Sequence, residues 1–353
     1  MVGEVSEFES WAGPPESSRP PEVEPFVRGC AWPAADWAAY PRCEPGPAGA
    51  RLPADTRAQA ALPVGVRLEF SGEADAVELD YCTATGELGP RGAVAGTGFA
   101  LYRGARLVSE APAVLGRGTL RLAAGAGPER GIVYLPEGMR PVVLAIRAIG
   151  GELAPAPRQR RWLCYGDSIA EGWCAAGPAG AWPARVGREW ELDAINLGYA
   201  GGARGELASA EEVAGLPADV ISVSHGTNCW SRTPHDTALF RAGLAAFIAV
   251  VRQGHPALPI VAVSPVLRAD AESTCNRRGT TLADLRAVFE DVVSERIRGG
   301  DGRLSLVEGL PLLPAERFAD GVHPDDEGHA RLAAALGPLI GAACDRAARE
   351  DDR

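Results

Sequence analysis

Arg161-Trp162-Leu163-Cys164-Tyr165-Gly166-Asp167-Ser168-Ile169-Ala170-Glu171-Gly172 decides how the chain folds. Arg161 to Tyr165 is a short, mostly apolar run, the kind that forms a strand buried on both faces of a parallel sheet. Gly166 and Asp167 end the run and a helix opens, so the Ser168 hydroxyl sits at a tight strand-to-helix turn beside a helix N-terminus. A serine in that place reads either as a nucleophile or as a helix cap. The spacing is not that of the G-x-S-x-G elbow, because the second glycine is displaced to Gly172.

Downstream, Ala194 to Leu197, Asp219 to Ser224, Ile260 to Val266 and Leu304 to Val307 repeat the short buried-strand pattern. Helical patterns fill the gaps. From Ala238 to Arg252 the residues Leu239, Phe240, Leu244, Phe247, Ile248 and Val251 fall on one face at helical spacing. A second helix opens at Thr281, where Thr281-Leu282-Ala283-Asp284 has the form of a capping box, and closes at Gly299-Gly300. A last helical run ends near Ala343. Alternating strands and helices predict a doubly wound α/β fold around a parallel sheet.

In such sheets ligands collect beyond the carboxyl ends of the strands. After the second strand comes Asn196-Leu197-Gly198-Tyr199-Ala200-Gly201-Gly202, and after the third His225-Gly226-Thr227-Asn228. Glycine lets a backbone N–H approach a substrate closely, and a loop Asn offers a neutral donor, so the two loops can build an oxyanion hole. After the last strand, Asp320-Gly321-Val322-His323 puts a carboxylate where it can hold an imidazole tautomer, as in a serine triad. Each loop also has a plain reading as a turn.

Taken together, Gly166-Asp167-Ser168-Ile169, Gly201, Gly226-Thr227-Asn228 and Asp320-Gly321-Val322-His323 resemble the four sequence blocks of the SGNH, or GDSL-type, hydrolase superfamily, over about Arg161 to Ala343. The resemblance implies a flavodoxin-like three-layer domain. It also implies Ser168 as nucleophile, His323 as general base and Asp320 as its orienter, with the Ser168 and Gly201 N–H groups and the Asn228 side chain holding the oxyanion. Two positions depart from the pattern. Gly202 stands where many relatives carry Asn or Asp, and Cys229 follows Asn228 where relatives vary.

Substrate contacts are expected from Asp167, Trp230, Arg268, Glu272 and Asn276. Asp167 belongs to the first block, Trp230 lies two residues after Asn228, and Arg268, Glu272 and Asn276 belong to the polar segment Arg268 to Arg278, in which Arg268 or Arg277 is suited to an anionic group. Trp173, Trp182 and Trp230 are placed to wall a pocket or to pack in the core. The cysteines are scattered without a C-x-x-C pair and the histidines show no H-E-x-x-H spacing, so no metal is expected, and no cofactor.

Upstream the period changes to two: Val66, Leu68 and Phe70 alternate with Arg67 and Glu69, and Val77, Leu79 and Tyr81 with Glu78 and Asp80. Further short runs to Ile149, divided by Gly and Pro turns such as Glu87-Leu88-Gly89-Pro90, predict half-buried strands in an antiparallel β-sandwich. The expected divisions are a mobile acidic tail over 1–25, a jelly-roll-like sandwich over 26–153, the hydrolase domain over 154–346 and a charged tail over 347–353. Ala154-Pro155-Ala156-Pro157 reads as the hinge. A sandwich ahead of a GDSL-type domain is similar to the layout of certain carbohydrate esterases. It suggests either a glycan-binding role or simple packing against the catalytic unit.

The chain has 353 residues, about two domains' worth, with 46% hydrophobic and 23% charged residues. Its net charge of −11 gives no general attraction to nucleic acid or anionic lipid, and neither is an expected partner. No apolar run reaches the roughly 18 residues of a membrane span. The acidic start lacks the basic and apolar regions of a secretory signal, so a cytoplasmic location is expected.

The expected function is serine esterase action on a small-molecule or sugar-like ester through an acyl-enzyme. An acyltransferase or thioesterase would use the same site on another acyl donor. A glycan- or partner-binding protein with an inactive hydrolase domain is the rival of another class, opposed by the intact Ser168, Asp320 and His323.

Overall fold

The computed structural model describes residues 19–85 and 96–351, so the turn expected at 87–90 lies outside the described residues. The antiparallel half is made of β1 (Val27–Arg28), β2 (Arg67–Ser71), β3 (Ala76–Thr83), β4 (Gly98–Arg103), β5 (Arg106–Pro112), β6 (Gly116–Ala123), β7 (Gly131–Tyr134), β8 (Pro141–Ile149) and β9 (Ala154–Pro155). One sheet runs β1-β2-β7-β4-β5 with β9 added beside β2, and the other runs β6-β3-β8. The inward residues of both meet in a single core, Leu68, Phe70, Phe99 and Val133 from the first and Val77, Leu79, Tyr81 and Val143 from the second. This is the expected sandwich, and the period-two pattern is what builds it.

The parallel half contains β10 (Arg160–Gly166), β11 (Leu192–Gly198), β12 (Val220–Ser224), β13 (Ile260–Val263) and β14 (Leu304–Val307), in the order β11-β10-β12-β13-β14. Every neighbouring pair is parallel. Alternate residues along β10 serve opposite faces. Leu163 and Tyr165 pack with Phe240, Phe247 and Phe289, whereas Trp162 and Cys164 pack with Trp182, Leu336 and Ile340. The helices concerned are α3 (Trp182–Glu189) and α8 (Asp326–Asp351) on one side, and α4 (Leu207–Gly215), α6 (Thr237–Gly254) and α7 (Leu282–Arg298) on the other. Thr281 and Asp284 form the capping box of α7 in both directions. Because β10 lies between β11 and β12, the chain reverses its direction of winding there, and the loops after β10 and β12 flank a crevice.

Several expectations change. Residues 19–25 are folded rather than a tail: Val23 is fully buried in the sandwich core, and the Arg19 guanidinium lies 5.1 Å from the Tyr40 ring centroid. The 154–157 stretch is not a free hinge, since Ala154 and Pro155 pair with Ser71 and Phe70 and Ala156 is buried. α8 continues through Asp351 into the stretch read as a tail. Nor does the first half keep to itself. Between β1 and β2 the chain crosses to the parallel half, where Cys43, Leu52 and Ala60 join the core around Tyr165 and Phe247. α1 (Ala54–Ala60) lies in this crossing segment.

β2 is not half-buried either. Its polar face is covered by the parallel half, leaving Arg67 and Glu69 5% and 1% exposed. Arg67 donates to Glu69 at 2.7 Å, to Asp193 at 3.1 Å and to the Ala194 carbonyl at 3.2 Å. An alternating pattern shows which residues face the inner core, but it does not show that a second unit covers the other face. Among the described residues no helix is long and apolar enough to cross a membrane.

Candidate active site

The end of β10 runs into α2 (Ser168–Glu171) through Asp167, whose side chain accepts from the Ile169 N–H at 3.0 Å. The cap is therefore Asp167, which leaves the Ser168 hydroxyl available. Ser168 Oγ lies 2.9 Å from His323 Nε2, and His323 Nδ1 lies 2.6 Å from Asp320 Oδ2. The other Asp320 oxygen accepts from the Val322 and His323 amides at 2.9 and 2.7 Å, closing the turn that holds the ring. Gly321 supplies the left-handed φ of +84° that this turn requires. Burial opposes ionisation of Asp320, but the bonds from the His323 ring and the two amides outweigh it and hold the carboxyl below its ordinary pKa. Trp173 packs its ring 5.0 Å from the imidazole and confines it from the side.

A cleft of about 300 Å³ opens over Ser168 and His323, lined also by Gly201, Asn228, Trp173, Gln59, Arg232 and Arg268. Gly201 sits at φ +72° in the turn after β11. That turn is held from below: Glu171, with no exposed surface, accepts from the Ala200 N–H at 2.7 Å and from Trp173 Nε1 at 3.2 Å. Asn228 is on α5 (Thr227–Ser231), is 5% exposed and donates one Nδ2 hydrogen to the Gly202 carbonyl. An amide nitrogen has a second hydrogen, which suits an incoming oxyanion. Gly202, the departure from the family pattern, has a local cause. A Cβ there would come within 2.7 Å of Thr56 Oγ1 on α1, so the crossing segment occupies the place of a side chain.

Of the expected substrate contacts, Arg268 lines the cleft and the others do not. Glu272 is paired with Arg286 at 2.6 Å and accepts from the Arg268 N–H at 3.1 Å. Asn276 holds its own turn, accepting from the Arg278 and Thr280 amides at 2.8 and 3.2 Å and donating to the His235 carbonyl at 2.9 Å. Trp230 donates its indole N–H to the Thr274 carbonyl at 2.9 Å and lies under Arg268. These side chains are committed to partners within and around the polar loop, which removes them from the cleft. Asp167 is buried beneath Ser168 as a cap, and Trp182 is in the core under α8. Sequence reading missed Gln59, Glu171 and Arg232. Only Arg232 carried a local signal, four residues beyond Asn228 and so on the same helical side.

Burial raises the Asp167 pKa from 3.8 to about 6, against the Ile169 amide and the His323 and Arg268 charges, which lower it. The native state thus binds this proton more tightly than the unfolded chain, so stability falls as pH rises from about 4 to about 6 and the full cost, roughly 3 kcal/mol, applies above that. Asn caps a helix as well as Asp. Asp167→Asn is expected to raise the urea-unfolding midpoint at pH 8 and to leave it nearly unchanged at pH 4. An equal gain at both values would show that ionisation of Asp167 is not the cost.

Among the described residues, Cys174 Sγ, an Asp320 oxygen and a His323 nitrogen lie within 4.8 Å of one another and could hold a cation. The Asp320 and His323 atoms are already bonded to each other and to Ser168, so a cation there would break the proton relay.

Residues 164–331 match the GDSL-like lipase/acylhydrolase family. No curated protein matches the sequence. Among solved structures, the chain is similar to the salicylyl-acyltransferase SsfX3 from a tetracycline biosynthetic pathway at 25% identity, covering 89% of this chain and 95% of that one with a TM-score of 0.76. A Bacteroides ovatus protein described as a GDSL-like lipase is 20% identical over 91% of this chain and 96% of its own, with a TM-score of 0.71. A family two carbohydrate esterase from Clostridium thermocellum is 18% identical over 78% of this chain and 90% of its own, at 0.57, and shares the fold. Behind the antiparallel sandwich, residues 164–331 thus form a GDSL-like lipase/acylhydrolase domain, of the SGNH serine-hydrolase type.

Proposed function

We propose that the protein deacylates a carboxylic ester of a small molecule or sugar-like metabolite through an acyl-enzyme on Ser168. The observation that carries this is the continuous relay from Ser168 Oγ to His323 at 2.9 Å and from His323 to Asp320 at 2.6 Å. His323 Nε2 takes the Ser168 proton as Oγ bonds to the ester carbon, and the carbonyl electron pair moves onto oxygen. The Ser168 and Gly201 N–H groups and the Asn228 amide receive that charge. The C–O bond to the alcohol then breaks and the alcohol leaves with the proton from His323. Water repeats the cycle, releasing the acid and restoring Ser168. The test is a fluorophosphonate adduct on the intact protein, mapped by peptide mass, together with turnover of 4-nitrophenyl acetate, butyrate and octanoate. An adduct on another residue, or none, would overturn the assignment.

Removing the Asn228 donor is expected to lower kcat by about 100- to 1,000-fold, the loss typical of one oxyanion donor. Because that donor acts on charge that appears only in the transition state, Asn228→Ala should change KM little. A rise in KM at unchanged kcat would place Asn228 in ground-state binding instead.

Acyl transfer is a second reading, favoured by the 25% identity to a salicylyl-acyltransferase over 89% of this chain. The same acyl-enzyme would then be intercepted by an alcohol or amine in place of water. Turnover with competing acceptors separates the two readings: a rising share of transfer product at constant acylation rate identifies a transferase, and free acid alone identifies a hydrolase.

A further inference from the structure

Two guanidinium groups line the cleft over Ser168, in a protein whose net charge is −11. Arg232 follows α5, its backbone N–H donating to the Asn228 carbonyl at 2.9 Å, so its side chain leaves the same side of the turn that carries the Asn228 amide. Its Nε stands 3.7 Å from the position a Cβ would take on Gly201. The side chain is exposed, and no acidic group or hydrogen-bond acceptor among the described residues engages its guanidinium. The positive charge is therefore held against the oxyanion turn without a protein counter-charge.

Arg268 stands in the same cleft in a different state. Its Nε and Nη2 are bonded to Asp270 at 2.9 and 3.3 Å, and the guanidinium lies 4.8 Å from the Trp230 ring centroid. These contacts fix the fork and leave Nη1 uncommitted. The acidic groups near the reacting atoms are otherwise engaged: Asp320 with His323, Glu171 with Ala200 and Trp173, and Asp167 buried as a helix cap. A neutral ester would make no use of Arg232. A substrate with an oxyanionic group would find a planar donor fork there, matched to carboxylate or phosphate geometry.

We infer that the substrate carries a carboxylate or phosphate group and that Arg232 receives it beside Gly201, the charge of Arg268 being already answered by Asp270. This rests on Ser168 being the acyl-bearing residue only for the location of the ester. The charge preference itself is a binding property, and it can be read without turnover.

The test uses full-length Ser168→Ala protein and calorimetric titration of matched esters. On the alcohol side these are 4-acetoxybenzoate, 4-acetoxyphenyl phosphate and the neutral 4-acetoxybenzamide. On the acyl side they are monophenyl adipate and neutral phenyl hexanoate. The expected result is that an anionic member of at least one set binds about tenfold more tightly than its neutral partner, the size expected for one charge-assisted hydrogen bond. The preference should shrink as salt is raised, vanish on adding Arg232→Gln and survive in part with Arg232→Lys. Whether benzoate or phosphate is preferred identifies the group. Equal affinities within every set, or a preference that outlives Arg232→Gln, would overturn the inference. Failure of wild type to form the fluorophosphonate adduct would instead strike the Ser168 assignment and leave the binding comparison standing.

Discussion

Ser168→Ala is expected to lower kcat for an activated ester such as 4-nitrophenyl acetate by about four to six orders of magnitude, the range found when a triad nucleophile is removed. The argument is that Oγ, His323 and Asp320 act as one unit. The His323 ring is held by Asp320 at 2.6 Å and touches Oγ at 2.9 Å, so without Oγ the base has no proton to take from a nucleophile bound in place. What remains is the oxyanion turn and the cleft, which should keep a residual rate above water. The same reasoning predicts strong non-additivity. His323→Ala should cost about as much as Ser168→Ala, and the double variant should cost little more than either. Kinetics on the three proteins, with circular dichroism to confirm the fold, check this. Ser168→Ala turnover within about a hundredfold of wild type would be incompatible with acylation at Ser168.

The parts of this site that could be read in the sequence are those whose geometry is local. Asp320 and His323 are three residues apart on one turn, and Asn228 lies four residues past the end of β12. Ser168 follows β10 with its cap at Asp167. Each of these depends on a strand end and a glycine, and both leave a mark in sequence. Most of the residues expected to contact substrate do not line the cleft, because local proximity stood in for partnership. Glu272 and Asn276 lie in a polar loop near the cleft, but Arg286, fourteen residues from Glu272, draws the carboxylate away. Residues contributed from far along the chain left no signal. Gln59 reaches the cleft because the segment between β1 and β2 crosses to the parallel half. The covered face of β2 is invisible for the same reason, since Arg67 and Glu69 look like exposed alternation until Asp193 is brought against them.

That crossing segment ties the fold to the reaction through Arg42, and replacing it is the second large effect expected. Arg42 is 1% exposed and donates from Nε to the Leu62 carbonyl at 2.8 Å and from Nη2 to the Gln59 carbonyl at 2.7 Å. Nη1 reaches the Asn196 carbonyl at 3.2 Å and the Gly198 carbonyl, both at the end of β11. Glu171 Oε2 lies 3.8 Å from Nη2, and this buried carboxylate is the one that holds the Ala200 N–H beside Gly201. Arg42→Met therefore removes the cation beside buried Glu171 and the donor of several carbonyls together, and is expected to cost about 3 to 5 kcal/mol of stability. The turn bearing Gly201 loses its support as well, and a shift of about 1 Å at a catalytic group is enough for up to a hundredfold loss of kcat. The decisive comparison adds Glu171→Gln. Glutamine still accepts from the Ala200 amide, gives up the bond from Trp173 Nε1 and leaves no charge behind, so the double variant should be more stable than Arg42→Met alone. Urea-unfolding midpoints and kcat for the two single variants and the double variant measure both consequences. If the losses simply add, Arg42 and Glu171 do not act on the oxyanion turn as a pair, and its position is set by the β11 backbone alone.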